Sequence, residues 1–343
     1  MSSSAPSEHH STKSLRQKVV VITGASSGIG RATAHAFARR GAHLVLAARN
    51  KQALVEVSEE CAGLGADAIV VQTDVTDAEA VAALARQAHD AFGRIDVWIN
   101  NAGVGLFGPF INAGIEAHRR VVETNLFGAM NGAAAVLPYF LEQHQGVMIT
   151  NISLGGFSPV PFAAAYTAGK FGLRGFMAGL RQELADEGGV HICSVFPAVI
   201  DTPGFQHGSN VSDAALTPGA LIFPPEKVAA AMVQLALHPR DELPVGWPAY
   251  LARIGYGLAP RTTERLLGFG FRRVIKNSPP EPRRLGNLFE PSRGRMTPTG
   301  GWRRPSRART LGRTAVWAGL LGTGALLLAW GRSRAAVAQS NGY

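Results

Sequence analysis

The chain has 343 residues, 46% of them hydrophobic, with 40 glycines, two cysteines and a net charge of +10. That is enough for one large domain with appendages or two small domains, built around a substantial core. The charge is concentrated: residues 261–313 carry fourteen Lys/Arg against three acids, which leaves the remainder slightly negative and removes the support for a nucleic-acid-binding body.

In chain order, residues 1–17 are rich in Ser and His and lack an apolar stretch, so they read as a disordered tail and not as a secretory signal. From 18 to 247, short apolar runs alternate with helical stretches. The runs are 18–23, 43–48, 68–73, 95–100, 147–152 and 190–197, with 242–245 a weaker seventh. Their Val/Ile-rich, non-alternating character predicts strands buried on both faces. Ala, Leu and charged residues at three-to-four spacing predict helices over 50–62 and 77–92. The pattern implies an α/β fold, a doubly wound parallel seven-stranded sheet of Rossmann-like type, with ligands at the carboxyl ends of the strands.

Past this single domain the character changes. Residues 248–276 read as an amphipathic helical extension and 277–313 as a basic, Pro/Arg-rich linker. Residues 314–330 are an uncharged apolar run at the short end of membrane-spanning length, and 331–343 form a tail. Trp317 and Trp330 near the ends of that run, with arginines on either side, fit a C-terminal membrane helix holding the domain on the cytoplasmic face. A helix lying on the bilayer or docked on a partner is the other reading. Cys61 and Cys193 read as buried thiols of a reducing compartment, and none of the ten histidines has the spacing of a metal ligand.

The first run ends at Thr23 and enters Gly24-Ala25-Ser26-Ser27-Gly28-Ile29-Gly30, followed directly by a helix. Glycines there let the backbone approach a pyrophosphate whose charge meets the helix N-terminus. The second run ends in Ala47-Ala48-Arg49. An acid at this point would accept from the adenosine ribose; a guanidinium suits a 2′-phosphate, so NADP(H) is expected over NAD(H). Tyr166 and Lys170 are four apart on a predicted helix and share a face. An ammonium beside a phenol favours the phenolate and lowers its pKa, which suits proton exchange with a substrate oxygen.

Residues 23–30, with glycine spacings of four then two, resemble the cofactor signature of the short-chain dehydrogenase/reductases, and Asn100-Asn101-Ala102-Gly103 resembles the family's second signature. The resemblance covers about 18–246. It implies that Asp74 and Val75 contact the adenine and that Thr202 sits near the nicotinamide carboxamide. It further implies that Ser153 hydrogen-bonds the substrate oxygen, Lys170 binds the nicotinamide ribose, and Asn125 anchors a water in a proton relay. Ala198 stands where the family has glycine after proline, which puts the following loop in question.

The expected activity is NADP(H)-dependent interconversion of a carbonyl and an alcohol, with Tyr166 as acid and base. The alternative is a non-catalytic nucleotide sensor or scaffold that retains the fold. Residues 155–165 and 200–225 contain Phe157, Val160, Phe162, Phe205, Leu221, Ile222 and Phe223 with few charges, so an apolar substrate is expected. By analogy with the family, the chain would form a homodimer or homotetramer through helices at about 115–143 and 163–186.

Overall fold

The computed structural model describes residues 14–219, 221–292, 294 and 296–303. In chain order it runs β1 (Val19–Thr23), α1 (Gly28–Ala38), β2 (His43–Ala48), α2 (Lys51–Gly63), β3 (Ala68–Gln72), α3 (Ala78–Phe92) and β4 (Val97–Asn100). There follow β5 (Leu106–Phe107), α4 (Ile115–Val122), α5 (Gly128–Glu142), β6 (Gly146–Asn151), α6 (Ala164–Glu183) and β7 (Val190–Pro197). The remainder is α7 (Gly204–His207), β8 (Ser209–Asn210), α8 (Pro225–Leu237), β9 (Glu242–Val245), α9 (Trp247–Leu258) and α10 (Pro260–Asn277).

All seven apolar runs form one parallel sheet in the order β3-β2-β1-β4-β6-β7-β9. The Val/Ile runs are continuous because both faces are covered: β1 and β4 are buried at every residue. One apolar layer joins Phe37, Leu44, Leu54 and Met232 on one face, and a second joins Trp98, Phe140, Met177 and Phe196 on the other. Strand order reverses between β1 and β4, which opens a crevice at their carboxyl ends.

Three sequence expectations change here. The tail stops short of residue 17, because Leu15 is buried in the first apolar layer and Gln17 N–H donates to the Gly41 carbonyl. The long helix over 115–143 is not uniform: α4 and α5 are joined by a π turn at Glu123–Phe127 that contains Asn125. The described part of the stretch after α10 does not behave as a free linker; residues 284–292, 294 and 296–303 run back across the domain. The predicted apolar helix over 314–330 lies outside the described residues. Among those described, no helix is long and apolar enough to cross a membrane.

Candidate active site

The crevice is held open by a polar lattice at the strand ends. Thr23 Oγ1 accepts from the Asn101 and Ala102 N–H groups at 3.0 and 3.2 Å. The Asn101 amide donates to the Thr23 and Gly24 carbonyls at 3.0 and 3.2 Å, and Asn151 donates to Asn101 at 2.9 Å. Three strand ends are thereby tied to the glycine turn. Gly24 has φ +65°, and a Cβ there would lie 2.8 Å from the Ala102 Cα; a Cβ on Gly30 would run into the Gly24 carbonyl. Only glycine permits this approach.

Ser27 precedes α1 without capping it by its side chain, and the first turn of α1 carries no acid. The amino end of α1 is therefore left for an acceptor, as a dinucleotide pyrophosphate requires. The residues expected around a nicotinamide dinucleotide, namely Gly24, Ser26, Ser27, Gly28, Ile29, Gly30, Arg49, Asp74, Val75, Asn101, Ala102, Gly103 and Thr202, fall on loops at the carboxyl edge of one sheet and on the first turn of α1, which opens there. They fit the group. Ala198 is not at positive φ, so its replacement of the family's glycine carries no backbone strain.

Arg120 was not evident from the sequence, where an arginine on a helix reads as solvated. It reaches from α4 to Asp74 at 2.6 Å and to the Thr76 hydroxyl at 2.5 Å. Burial alone would raise the Asp74 pKa, but hydrogen bonds from Thr76 and Arg120 outweigh it and hold the carboxyl below its ordinary value. Asp74 is thus kept as an anion beside Arg49, whose guanidinium burial pushes down in pKa while Asp74 opposes that shift.

Ser153, Tyr166 and Lys170 come together at the end of β6 and the first turns of α6. Ser153 has φ +131°, an unusual angle for a side-chain-bearing residue, and its hydroxyl accepts from the Gly155 N–H at 3.1 Å. Ser153 also partly opposes the upward push that burial gives the Tyr166 phenol. Lys170 Nζ lies 5.7 Å from the centre of the Tyr166 ring and donates to the Asn151 carbonyl at 3.1 Å. Burial pushes its pKa down to about 8.

Burial thus shifts the Tyr166 phenol up, and desolvation weakens the Lys170 ammonium beside it. The Asn125 amide exchanges two hydrogen bonds with the Val104 backbone, at 3.0 and 2.8 Å, so its side chain pins the loop after Gly103.

Aromatic side chains cluster beside Tyr166. Phe107 lies 6.3 Å from Tyr166 and 6.4 Å from Phe205, ring centre to ring centre, while Phe162 stacks on Phe271 at 5.5 Å. Phe107, Phe205, Leu216, Phe271 and Val274 line a cavity of about 60 Å³. Helix α10, which the sequence placed outside the domain, supplies part of that wall. Phe157 and Phe223 do not line it: Phe157 is stacked on Phe196 at 3.9 Å, and Phe223 packs on the core beside Gly246. Both cysteines are free and buried, and burial pushes each thiol up to about 12.

Residues 284–292, 294 and 296–303 form a strap through the crevice. Leu288 is fully buried against Val104, Leu106 and Val121, with Tyr166 packed on the same cluster. The Arg49 guanidinium donates to the carbonyls of Asn287, Leu288 and Phe289 at 2.5, 3.3 and 3.1 Å. Gly28 N–H donates to the Thr297 carbonyl at 3.0 Å. The Trp302 N–H reaches Asp201 at 3.0 Å, and its indole donates to the Thr202 carbonyl at 3.3 Å.

The short chain dehydrogenase family profile matches residues 18–210. An uncharacterized oxidoreductase, YxnA of Bacillus subtilis (strain 168), is 37% identical over 258 residues, covering 74% of this chain and 72% of its own. An alcohol dehydrogenase from Thermococcus sibiricus complexed with 5-hydroxy-NADP superposes with a TM-score of 0.58 at 28% identity, covering 67% of this chain and 96% of that one. A metagenomic short-chain oxidoreductase in complex with NADP gives 0.58 at 31% identity, over 67% and 97%. Helices α8 to α10 and the strap lie beyond the matched residues.

Proposed function

The chain belongs to the short-chain dehydrogenase family and is an oxidoreductase, and we propose that it interconverts a carbonyl and an alcohol on an apolar substrate with NADP(H), using Tyr166 as the acid and base. The observation that carries this reading is the convergence of Ser153, Tyr166 and Lys170 beside a glycine-built crevice whose strand-end residue is Arg49. A bound nicotinamide supplies the hydride or takes it up. Ser153, with its hydroxyl oriented by Gly155, holds the substrate oxygen beside the phenol. Tyr166 gives that oxygen a proton in reduction and removes it in oxidation. Lys170 binds the nicotinamide ribose and, with the positive charge of an oxidised cofactor, brings the phenol down from the raised pKa that burial imposes. Phe107, Phe205 and Phe271 favour an aromatic or lipid-like partner over a charged one. The two NADP complexes among similar structures support the choice of cofactor, as does the absence of an acid after β2.

Arg49→Asp tests that choice. Hydrogen bonds to charged groups contribute about 1.5–3 kcal/mol each. The ratio of NADPH to NADH efficiency is therefore expected to fall by about 10- to 100-fold, measured as kcat/KM for each cofactor. An unchanged ratio would remove Arg49 from the 2′-phosphate.

Lys170 supplies a pH test. Its amine is charged below about 8 and neutral above, and only the charged form attracts the cofactor. In the free enzyme, kcat/KM for NADPH is expected to decline as pH rises through about 8. A profile flat through that region would contradict the role.

A further inference from the structure

The strap meets, one after another, the groups that a dinucleotide would use. Arg49, read above as the 2′-phosphate partner, is paired with three backbone carbonyls. The Gly28 N–H at the amino end of α1 holds the Thr297 carbonyl, and Arg31 from the same helix holds that of Met296. Asn50 donates to the Ser292 carbonyl at 3.1 Å. Thr202 and Asp201, at the nicotinamide end, hold the Trp302 indole and the Trp302 and Arg303 N–H groups. Leu288 fills the apolar space against Val104 and Tyr166.

The strap is also shaped for this course. Gly286 has φ +49°, and a Cβ there would run into the His207 carbonyl; a Cβ on Gly300 would run into that of Thr202. Glycines stand where the strap backbone must touch the walls.

We propose that the dinucleotide crevice is also a peptide-binding site, whose ligand is this chain's own segment, through its described residues 285–292, 294 and 296–303, held in competition with the nicotinamide cofactor. The inference rests on the cofactor reading given above. Competition follows from the donors: a guanidinium already paired with three carbonyls cannot hold a phosphate until they leave. The two ligands have different advantages. Phosphate oxygens are charged and form hydrogen bonds roughly twice as strong as those to neutral carbonyls. The strap is intramolecular and tethered at the end of α10, so its effective concentration is on the order of millimolar. It is not packed throughout, since a groove of about 380 Å³ remains beside it, lined by Arg31, Asn50, Glu56 and Thr297. Only the fraction of molecules with the strap lifted binds cofactor, so the apparent affinity is reduced by that fraction. The same motion widens the small cavity beside Phe205, which Arg284 at the root of the strap helps to line.

Two measurements on the full chain test the proposal. Hydrogen exchange of peptides covering 285–303 should rise when NADPH is added. Leu288→Asp, which puts a charge into the apolar space against Val104 and Tyr166 and so unseats the buried anchor, should tighten the NADPH dissociation constant by about 10-fold. A synthetic peptide of residues 284–303 should then compete with NADPH on that variant. Exchange that falls on NADPH addition would overturn the proposal, because the strap would then clasp the cofactor. So would weaker NADPH binding by Leu288→Asp when the variant is folded by circular dichroism. Failure of both proteins to bind any nicotinamide nucleotide would overturn the cofactor reading itself, and the inference with it.

Discussion

Tyr166→Phe is expected to lower turnover by about 10²- to 10⁴-fold while NADPH affinity stays close to that of the native protein. The substitution removes one oxygen and leaves the ring. The contact with Phe107 and the packing over Lys170 depend on the ring face, so the wall of the site is preserved. What disappears is the phenol hydroxyl, the group proposed to exchange a proton with the substrate, on a ring whose centre lies 5.7 Å from the Lys170 amine. Steady-state turnover with NADPH and a reactive ketone, beside a fluorescence titration of NADPH, separates the two effects. Retention of more than about a tenth of native turnover would mean that another group, or water, carries the proton.

The second large effect is expected at Gly30. In Gly30→Val the new Cβ would meet the Gly24 carbonyl and lie 2.7 Å from the Asn101 amide. Both groups are fixed, since Asn101 donates to the carbonyls of Thr23 and Gly24 and accepts from Asn151. Relief requires moving backbone, which costs about 1–3 kcal/mol, and the displaced turn no longer presents the amino end of α1. NADPH binding should be lost together with several degrees of thermal stability. Gly63→Ala is the control: it ends α2 with open space around it and should keep both properties. Native NADPH affinity in Gly30→Val would show that the glycine turn does not hold the pyrophosphate.

Much of this site could be read from sequence because each strand is a compact apolar run ending in a distinct polar signature. Thr23, Arg49, Asp74, Asn101 and Ser153 are where the apolar pattern stops, and a parallel sheet brings those stops to one edge. The pairing of Tyr166 with Lys170 follows from helical spacing alone. Their ionisation did not follow, because burial enters with the opposite sign and only the folded chain shows its extent.

The strap was invisible for a different reason. It binds largely through main-chain carbonyls and N–H groups, which every residue possesses, so a Pro/Arg/Gly-rich segment without periodicity reads the same whether it wanders or docks. Leu288 is a single apolar residue in a polar stretch, too little to form a pattern. The contacts of Arg120 and of the Asn125 side chain are hidden in the same way, since each reaches a loop distant in sequence: Asp74–Thr76 for the first and Val104 for the second.

Isotope transfer puts the account at greatest risk. NADPH carrying deuterium on the transferable C4 position would be incubated with the protein and a panel of aromatic and aliphatic ketones, aldehydes and vicinal diketones, and the alcohols examined by mass spectrometry. The expected result is one deuterium on the former carbonyl carbon with the native protein and almost none with Tyr166→Phe. Tight NADPH binding with no label in any product would contradict it, and would mean that the chain holds the nucleotide without using it.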